Sequence, residues 1–194
     1  PDKSIRNSHQ IIYLGRLIKQ KGVSYLLDAF ANIVKEYPQA TLQILGHGPE
    51  LEALKRQSLN LGIDNNVRFL GGMQHEDVIE YFQASSIEVF TYYRTKQSGQ
   101  EVFGLLLVEA LGCGCAVIAS RQPAIMEIIK HRQTGHLIDE RSPQAITSAI
   151  LSLLDNPEMQ NFLATNGRSE VLNRFDWGKV TDSYTNLINK CIYQ

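Results

Sequence analysis

Short apolar runs alternate with stretches of helical spacing along almost the whole chain, and that alternation leaves few architectures open. Residues 10–15 form a short apolar run ending in Gly15. Residues 23–37 carry Val23, Leu26, Leu27, Phe30 and Val34 at helical spacing and stop before Pro38. Beyond them the pattern predicts strands at 41–45, 67–70, 87–91, 116–120 and 136–138. Helices are predicted between these strands at 50–61, 76–84, 104–111 and 125–129. From Pro143 onward the chain reads as helices broken near Asn156-Pro157 and Phe175-Asp176. Short apolar strands separated by helices imply an α/β fold, a Rossmann-like parallel sheet with helices on both faces.

Composition narrows the reading. With 194 residues, 43% of them hydrophobic, one domain with a sizeable core is expected. Lys and Arg number 19 against 20 Asp and Glu, so no basic field covers the molecule and nucleic acid is not an expected partner. The longest apolar runs, such as residues 105–108, fall far short of a membrane span. The first residues, Pro1 to Arg6, are polar and do not resemble a signal peptide. Three cysteines, with Cys113 and Cys115 too close for an easy disulfide, fit a reducing cytoplasm. Cys113-Gly114-Cys115 would need a second ligand pair to hold zinc, and Cys191 and the five histidines offer none at a known spacing. There is no internal repeat and no low-complexity tract.

In a parallel sheet the ligand sits beyond the carboxyl ends of the strands. Gly15, Arg16 and Lys21 follow the first predicted strand, Gly46, His47 and Gly48 the second, Gly71 and Gly72 the third, and Glu101 the fourth. Arg16 and Lys21 offer a planar fork and a mobile charge for phosphate oxygens, or else a solvated pair flanking a helix. Gly46-His47-Gly48-Pro49-Glu50 is either a turn that brings backbone up to a ligand or a plain strand-to-helix turn. A dinucleotide fingerprint would need glycine where Leu51 stands, and no Gly-Lys-Ser/Thr or Gly-x-Ser-x-Gly occurs. Glu101 and Glu109 stand eight positions apart, with Phe103-Gly104 between them. Glu109 falls about two turns into a helix at ~3.6 residues per turn. In so apolar a run it is either on an exposed face or aimed at a ligand. The amides near Phe103 and Gly104 are helix N-terminal donors that favour phosphate. Two carboxylates beside a phosphate-accepting turn suit a ligand with hydroxyls at both ends and phosphate in the middle. His131 and His136 flank Gln133-Thr134-Gly135 and read as a surface turn.

The segment from Glu101 to Glu109 resembles the signature of the family 4 (group 1) retaining glycosyltransferases, in which two glutamates flank seven residues containing Phe-Gly. Residues 14–22 are similar to that family's first motif, and Gly46 to Glu50 to its glycine-rich turn. The resemblance runs from about Ile11 to the C-terminus. It implies the C-terminal, nucleotide-sugar-binding half of a two-domain GT-B enzyme. Residues 1–9 would then be a linker remnant and 176–194 a C-terminal helix, with the N-terminal acceptor domain absent.

The resemblance also implies roles. Arg16 and Lys21 bind the diphosphate, together with Val102, Phe103, Gly104 and Leu105 at the helix start. Glu109 holds the ribose, Glu101 lies near the donor sugar, and Arg68, Phe69 and Leu70 form the edge that meets the nucleobase. Gly15, Gly46, His47 and Gly48 line the donor. Catalysis falls to Glu101, Arg16 and Lys21, with no cofactor. The chain has no Asp-x-Asp, so the leaving diphosphate is expected to be neutralised without metal. UDP is the first expectation for the nucleotide, from the family's habits, and polysaccharide or glycoconjugate for the product. A saccharide or lipid-linked acceptor would bind the missing half, which could bring a cytoplasmic enzyme to the inner face of the membrane. This stretch alone should bind donor without transferring it.

The chain departs from the family pattern at three places, the last of which bears on the donor-sugar pocket. Tyr92-Tyr93 stands where the family commonly shows Pro-Ser, and Ala116 where it shows Pro. Gln122 to Met126 replaces its glycine pair before Pro-Glu, with Glu127 retained. The rival readings are a phosphorylase-like or nucleotide-sugar epimerase enzyme of related fold, and a nucleotide-binding module that never catalyses.

Overall fold

The computed structural model describes residues 6–95 and 104–192. Six strands form one parallel sheet: β1 (Asn7–Leu14), β2 (Thr41–Leu45), β3 (Val67–Gly71), β4 (Ser85–Phe90), β5 (Ala116–Ser120) and β6 (His136–Ile138). Their order is β3-β2-β1-β4-β5-β6. The helices are α1 (Val23–Glu36), α2 (Leu51–Asn60), α3 (His75–Ala84), α4 (Leu105–Gly112), α5 (Pro123–Ile128), α6 (Pro143–Leu154), α7 (Pro157–Arg174) and α8 (Trp177–Ile192). The expected Rossmann-like α/β fold is therefore observed.

Both faces of the sheet are packed. Leu26, Phe30 and Ile33 of α1, Leu54 of α2 and Ile146 and Ile150 of α6 fill one layer. Phe82 of α3, Leu107 and Leu111 of α4 and Ile125 of α5 fill the other. Each fully buried side chain of this size contributes about 1.5–3 kcal/mol, which outweighs the few tenths in helix propensity that separate most residues.

The predicted helix breaks are built by caps. Ser142 Oγ accepts from Ala145 N ahead of Pro143, and Asn156 Oδ1 accepts from Met159 N ahead of Pro157. Two strands begin earlier than expected. β1 begins at Asn7, so Asn7, Ser8 and His9 are strand residues and not linker. β4 begins at Ser85 and ends at Phe90, one residue before Thr91. Polarity hides both starts: Ser86 Oγ donates to Ser8 O at 2.8 Å and Gln10 Nε2 to Ser85 Oγ at 3.0 Å, so polar side chains pair where an apolar signal was sought. α8 buries none of its residues, and no helix among the described residues is long and apolar enough to cross a membrane.

Candidate functional site

β1 and β4 are neighbours at the centre of the sheet, and strand order runs outward from them in opposite directions. Loops leaving such a pair diverge and open a crevice beyond the carboxyl ends. The loops after β1, β2 and β3 are stitched together through backbone. Gly15 N donates to Leu45 O at 3.0 Å, Leu17 N to His47 O at 2.8 Å, Gly46 N to Gly71 O at 2.7 Å and Glu50 N to Leu17 O at 3.1 Å. Two glycines make this approach possible. A Cβ on Gly46 would stand 1.9 Å from Gly15 O, and one on Gly48 would stand 2.1 Å from Leu17 O. His47 adds a side-chain tie, its Nε2 accepting from Gly72 N at 2.8 Å.

Lys21 ends a 3-10 turn, Lys19–Lys21, that closes on Gly22 in the left-handed conformation. Thr91 Oγ1 donates to Lys21 O at 2.7 Å and Tyr93 N to Gln20 O at 2.9 Å, fixing the turn to the end of β4. Lys21 Nζ lies 5.0 Å from the Tyr92 ring and 5.3 Å from Phe90, within cation–π range. The ammonium is thus held at the point where strand order reverses. Arg16 is exposed on the adjoining loop.

The loops after β4, β5 and β6 are joined by side chains instead. Gln122 Nε2 donates to Glu140 and, at 3.4 Å, to Tyr92 O. Arg94 N donates to Glu140 Oε2 at 3.1 Å, and Arg141 donates to Arg94 O at 2.8 Å while its guanidinium lies 4.3 Å from the Tyr93 ring centre. None of these residues was singled out as a ligand from sequence. Gln122, standing where the resembled family has glycine, and Tyr92-Tyr93, where it has Pro-Ser, were the signals.

Glu109 projects from α4 with its side chain 32% exposed and Oε1 3.8 Å from His75 Nε2. Its Oε2 is buried and has no hydrogen-bond partner among the described residues. Burial pushes the carboxyl above its ordinary pKa, and His75 opposes that. Among the described residues the α4 N-terminus, at Gly104, has no side-chain cap and no acid in its first turn, and its amide donors suit an anion. Leu105 beside it is exposed. On β3, Arg68 is exposed and Phe69 and Leu70 are half-buried. Glu101, Val102 and Phe103 lie outside the described residues. His75, which sequence reading passed over, is brought to Glu109 only by the turn from β3 into α3. Cys115 is buried, as small residues at a helix-to-strand turn are expected to be, whereas His136 departs from expectation. Cys115 is fully buried, its thiol held up by burial and donating to Phe82 O at 3.1 Å. His136 is the first residue of β6 rather than part of a turn.

Comparison with known proteins agrees with this geometry. Residues 2–170 match the family described as Glycosyl transferases group 1. The chain is 31% identical over 169 residues to a GDP-mannose-dependent alpha-(1-6)-phosphatidylinositol monomannoside mannosyltransferase of Mycolicibacterium smegmatis, covering 86% of this chain and 44% of that one. It is 30% identical over 174 residues to the N-acetyl-alpha-D-glucosaminyl L-malate synthase of Bacillus anthracis, covering 90% and 43%. It spans about half the length of such relatives. Among solved structures, Anabaena HepE in complex with UDP superposes with a TM-score of 0.85 at 25% identity, over 96% of this chain and 50% of HepE. The C-terminal domain of the Francisella tularensis group 1 protein LpcC superposes at 0.76 with 26% identity, over 90% of each chain. By fold, by the arrangement of its strand-end loops and by sequence, this chain belongs to the group 1 glycosyl transferases, and it corresponds to the C-terminal domain of their GT-B architecture.

Proposed function

We propose that this domain binds a UDP-sugar as the donor half of a retaining glycosyltransferase that works without a metal ion and builds a polysaccharide or glycoconjugate. The observation that carries the reading is Glu109. Its Oε2 is buried and has no hydrogen-bond partner among the described residues. Leaving a carboxylate oxygen so costs about 1–3 kcal/mol or more, which ligand hydroxyls would recover. One carboxylate can accept from two vicinal hydroxyls of a ribose.

The phosphates then fall between Lys21, Arg16 and the α4 N-terminus. These cations and amides are placed to take up the charge that builds on the diphosphate as the sugar–oxygen bond breaks. Gly15, Gly46 and Gly48 let backbone stand against the donor. Phe69 and Leu70 offer the edge for the base, and Glu101 positions the sugar. UDP is favoured because HepE, at 25% identity, was solved with it. The acceptor, saccharide or lipid-linked, would be held by an N-terminal partner domain, so this stretch alone should bind donor and transfer nothing. A cytoplasmic location completes the proposal.

Calorimetry with UDP, GDP and ADP, free and sugar-linked, in the presence of EDTA tests it. UDP and its sugars should bind best. A strict requirement for added Mg²⁺ or Mn²⁺ would overturn the metal-free reading, and tighter GDP binding would overturn the choice of base.

A further inference from the structure

An open pocket of about 430 Å³ lies at the far edge of the sheet between β6 and α6. It shares no residue with the nucleotide edge. Four basic groups from three segments line it: Arg121 after β5, His131 and Arg132 on the turn before β6, and His136 at the start of β6. Asp139 is the only carboxylate among its lining residues, and its side chain is 85% exposed, with Oδ1 4.0 Å from Arg121 Nε. The α6 wall carries no charge; Ser148 and Ser152 supply hydroxyls.

The basic groups are held in place by backbone. Arg121 N donates to Ile138 O at 2.8 Å, and Arg132 N donates to Gly135 O at 2.8 Å. Leu137 N donates to His131 Nδ1 at 3.0 Å, so the neutral ring carries its proton on Nε2 and is itself a donor. The rings of His131 and His136 meet edge to face, 4.9 Å apart. Arg132 adopts φ 59°, a left-handed conformation that costs a residue with a Cβ and that glycine would take freely. Retaining arginine there, beside a second arginine and two imidazoles, spends stability on concentrating positive charge. Strained backbone of this kind gathers at ligand sites.

We propose that this cavity binds a small phosphorylated compound, its phosphate held by the Arg121 and Arg132 guanidiniums and by the imidazoles of His131 and His136. Its volume lies within the ~300–1,000 Å³ of small-molecule sites. Arginine pairs suit phosphate because their planar forks can donate two hydrogen bonds at once. With the anion absent, burial foremost and then the neighbouring basic groups push His136 down to about 4 and hold His131 below its ordinary value. A phosphate among these groups sets negative charge against the rings, so binding draws protons onto the imidazoles.

Imidazole NMR of this chain tests the proposal, because two of its five histidines line the pocket and three lie elsewhere. Inorganic phosphate is titrated in at a pH above its second pKa, and a pH series is then run with and without saturating phosphate, with ionic strength held constant by sodium chloride. The His131 and His136 ring signals should move saturably while His9 stays still, and the His136 midpoint should climb from about 4. Arg121→Gln and Arg132→Gly should each weaken saturation about tenfold, equivalent to ~1.4 kcal/mol. Arg132→Gly relieves the left-handed strain while removing the guanidinium, so its effect cannot be ascribed to misfolding. Three outcomes would overturn the site: shifts that fail to saturate, saturation unchanged in both variants, or a response confined to His47 and His75 at the nucleotide edge.

Discussion

Replacing Glu88 by glutamine should make the protein's stability less sensitive to alkali. Glu88 lies in the middle of β4, fully buried, paired in register with Ile12 on one side and Val117 on the other. Neither carboxyl oxygen has a hydrogen-bond partner among the described residues. Burial pushes its pKa from 4.5 up to about 8. Between those values the folded protein keeps a proton that the unfolded chain has released. Stability must therefore fall as pH rises through this window, by about 1.4 kcal/mol per unit. Below 4.5 both states hold the proton, and above 8 neither does, so the loss is confined to that interval. From 4.5 to neutrality it amounts to about 3 kcal/mol, a large share of the ~5–15 kcal/mol that stabilises most domains. Glu88→Gln keeps the shape and cannot ionise. It should add a burial cost that is constant with pH, so the diagnostic is the slope of the difference between variant and wild type. Urea unfolding followed by far-ultraviolet circular dichroism at several pH values measures it, since the lone Trp177 is 84% exposed and a poor fluorescence reporter of the core. The stability difference should rise in favour of the variant across the window. A difference that stays flat would mean that Glu88 finds a partner or water, and would refute the reasoning.

Gly46→Ala should abolish nucleotide binding and cost several kcal/mol on denaturant unfolding, because its Cβ would lie 1.9 Å from the carbonyl oxygen of Gly15. Arg16→Ala and Lys21→Ala should each weaken UDP by about 1.5–3 kcal/mol and UMP by less; equal losses in calorimetry would make them surface charges. Glu109→Gln should weaken every ribonucleotide, and 2′-deoxy-UDP should bind that variant with little further loss; additive effects would show that Glu109 does not hold the ribose. Because His75 is what opposes the burial-raised pKa of Glu109, His75→Ala should move the acid-side loss of UDP binding to higher pH, read from calorimetry across a pH series.

The layering of the fold was legible because periodicity reports burial directly. A strand covered on both faces reads as an apolar run, and α1 places Leu26, Phe30 and Ile33 on one stripe. Pro and Asn or Ser at α6 and α7 announce their own caps. What resisted reading were polar residues that pairing carries inside. Ser85 and Ser86 lengthen β4 at its start because they bond to β1, and Glu88 is buried by its place in the central strand, not by its chemistry. No single-residue property foretells either, since burial there is imposed by neighbours far away in sequence.

The candidate site divides the same way, and the division explains which half could be read. The loops after β1, β2 and β3 are joined by main chain, and main chain approaching to hydrogen-bond distance demands glycine at Gly46 and Gly48. That demand is written in the residue itself, so the glycines signal the turn without reference to a ligand. The loops after β4, β5 and β6 are joined by Gln122, Glu140, Arg94 and Arg141, ordinary polar residues whose meaning arises only when three strand ends are brought together. Lys21 stands where the two halves meet, bound through its carbonyl to Thr91 and with its ammonium near the Tyr92 ring. Under the proposed function the diphosphate meets Arg16 and Lys21 of the glycine-built half, cations that attract phosphate irrespective of base or sugar. Discrimination among sugars then falls to the side-chain-built half, where this chain departs from the pattern of the family it belongs to. Exchanging Gln122 should therefore change which sugar-linked donor binds while leaving UDP itself within about twofold, well under the ~1.4 kcal/mol of a tenfold change. Equal loss of UDP and of every UDP-sugar, measured side by side, would place Gln122 in the phosphate site and dissolve the division.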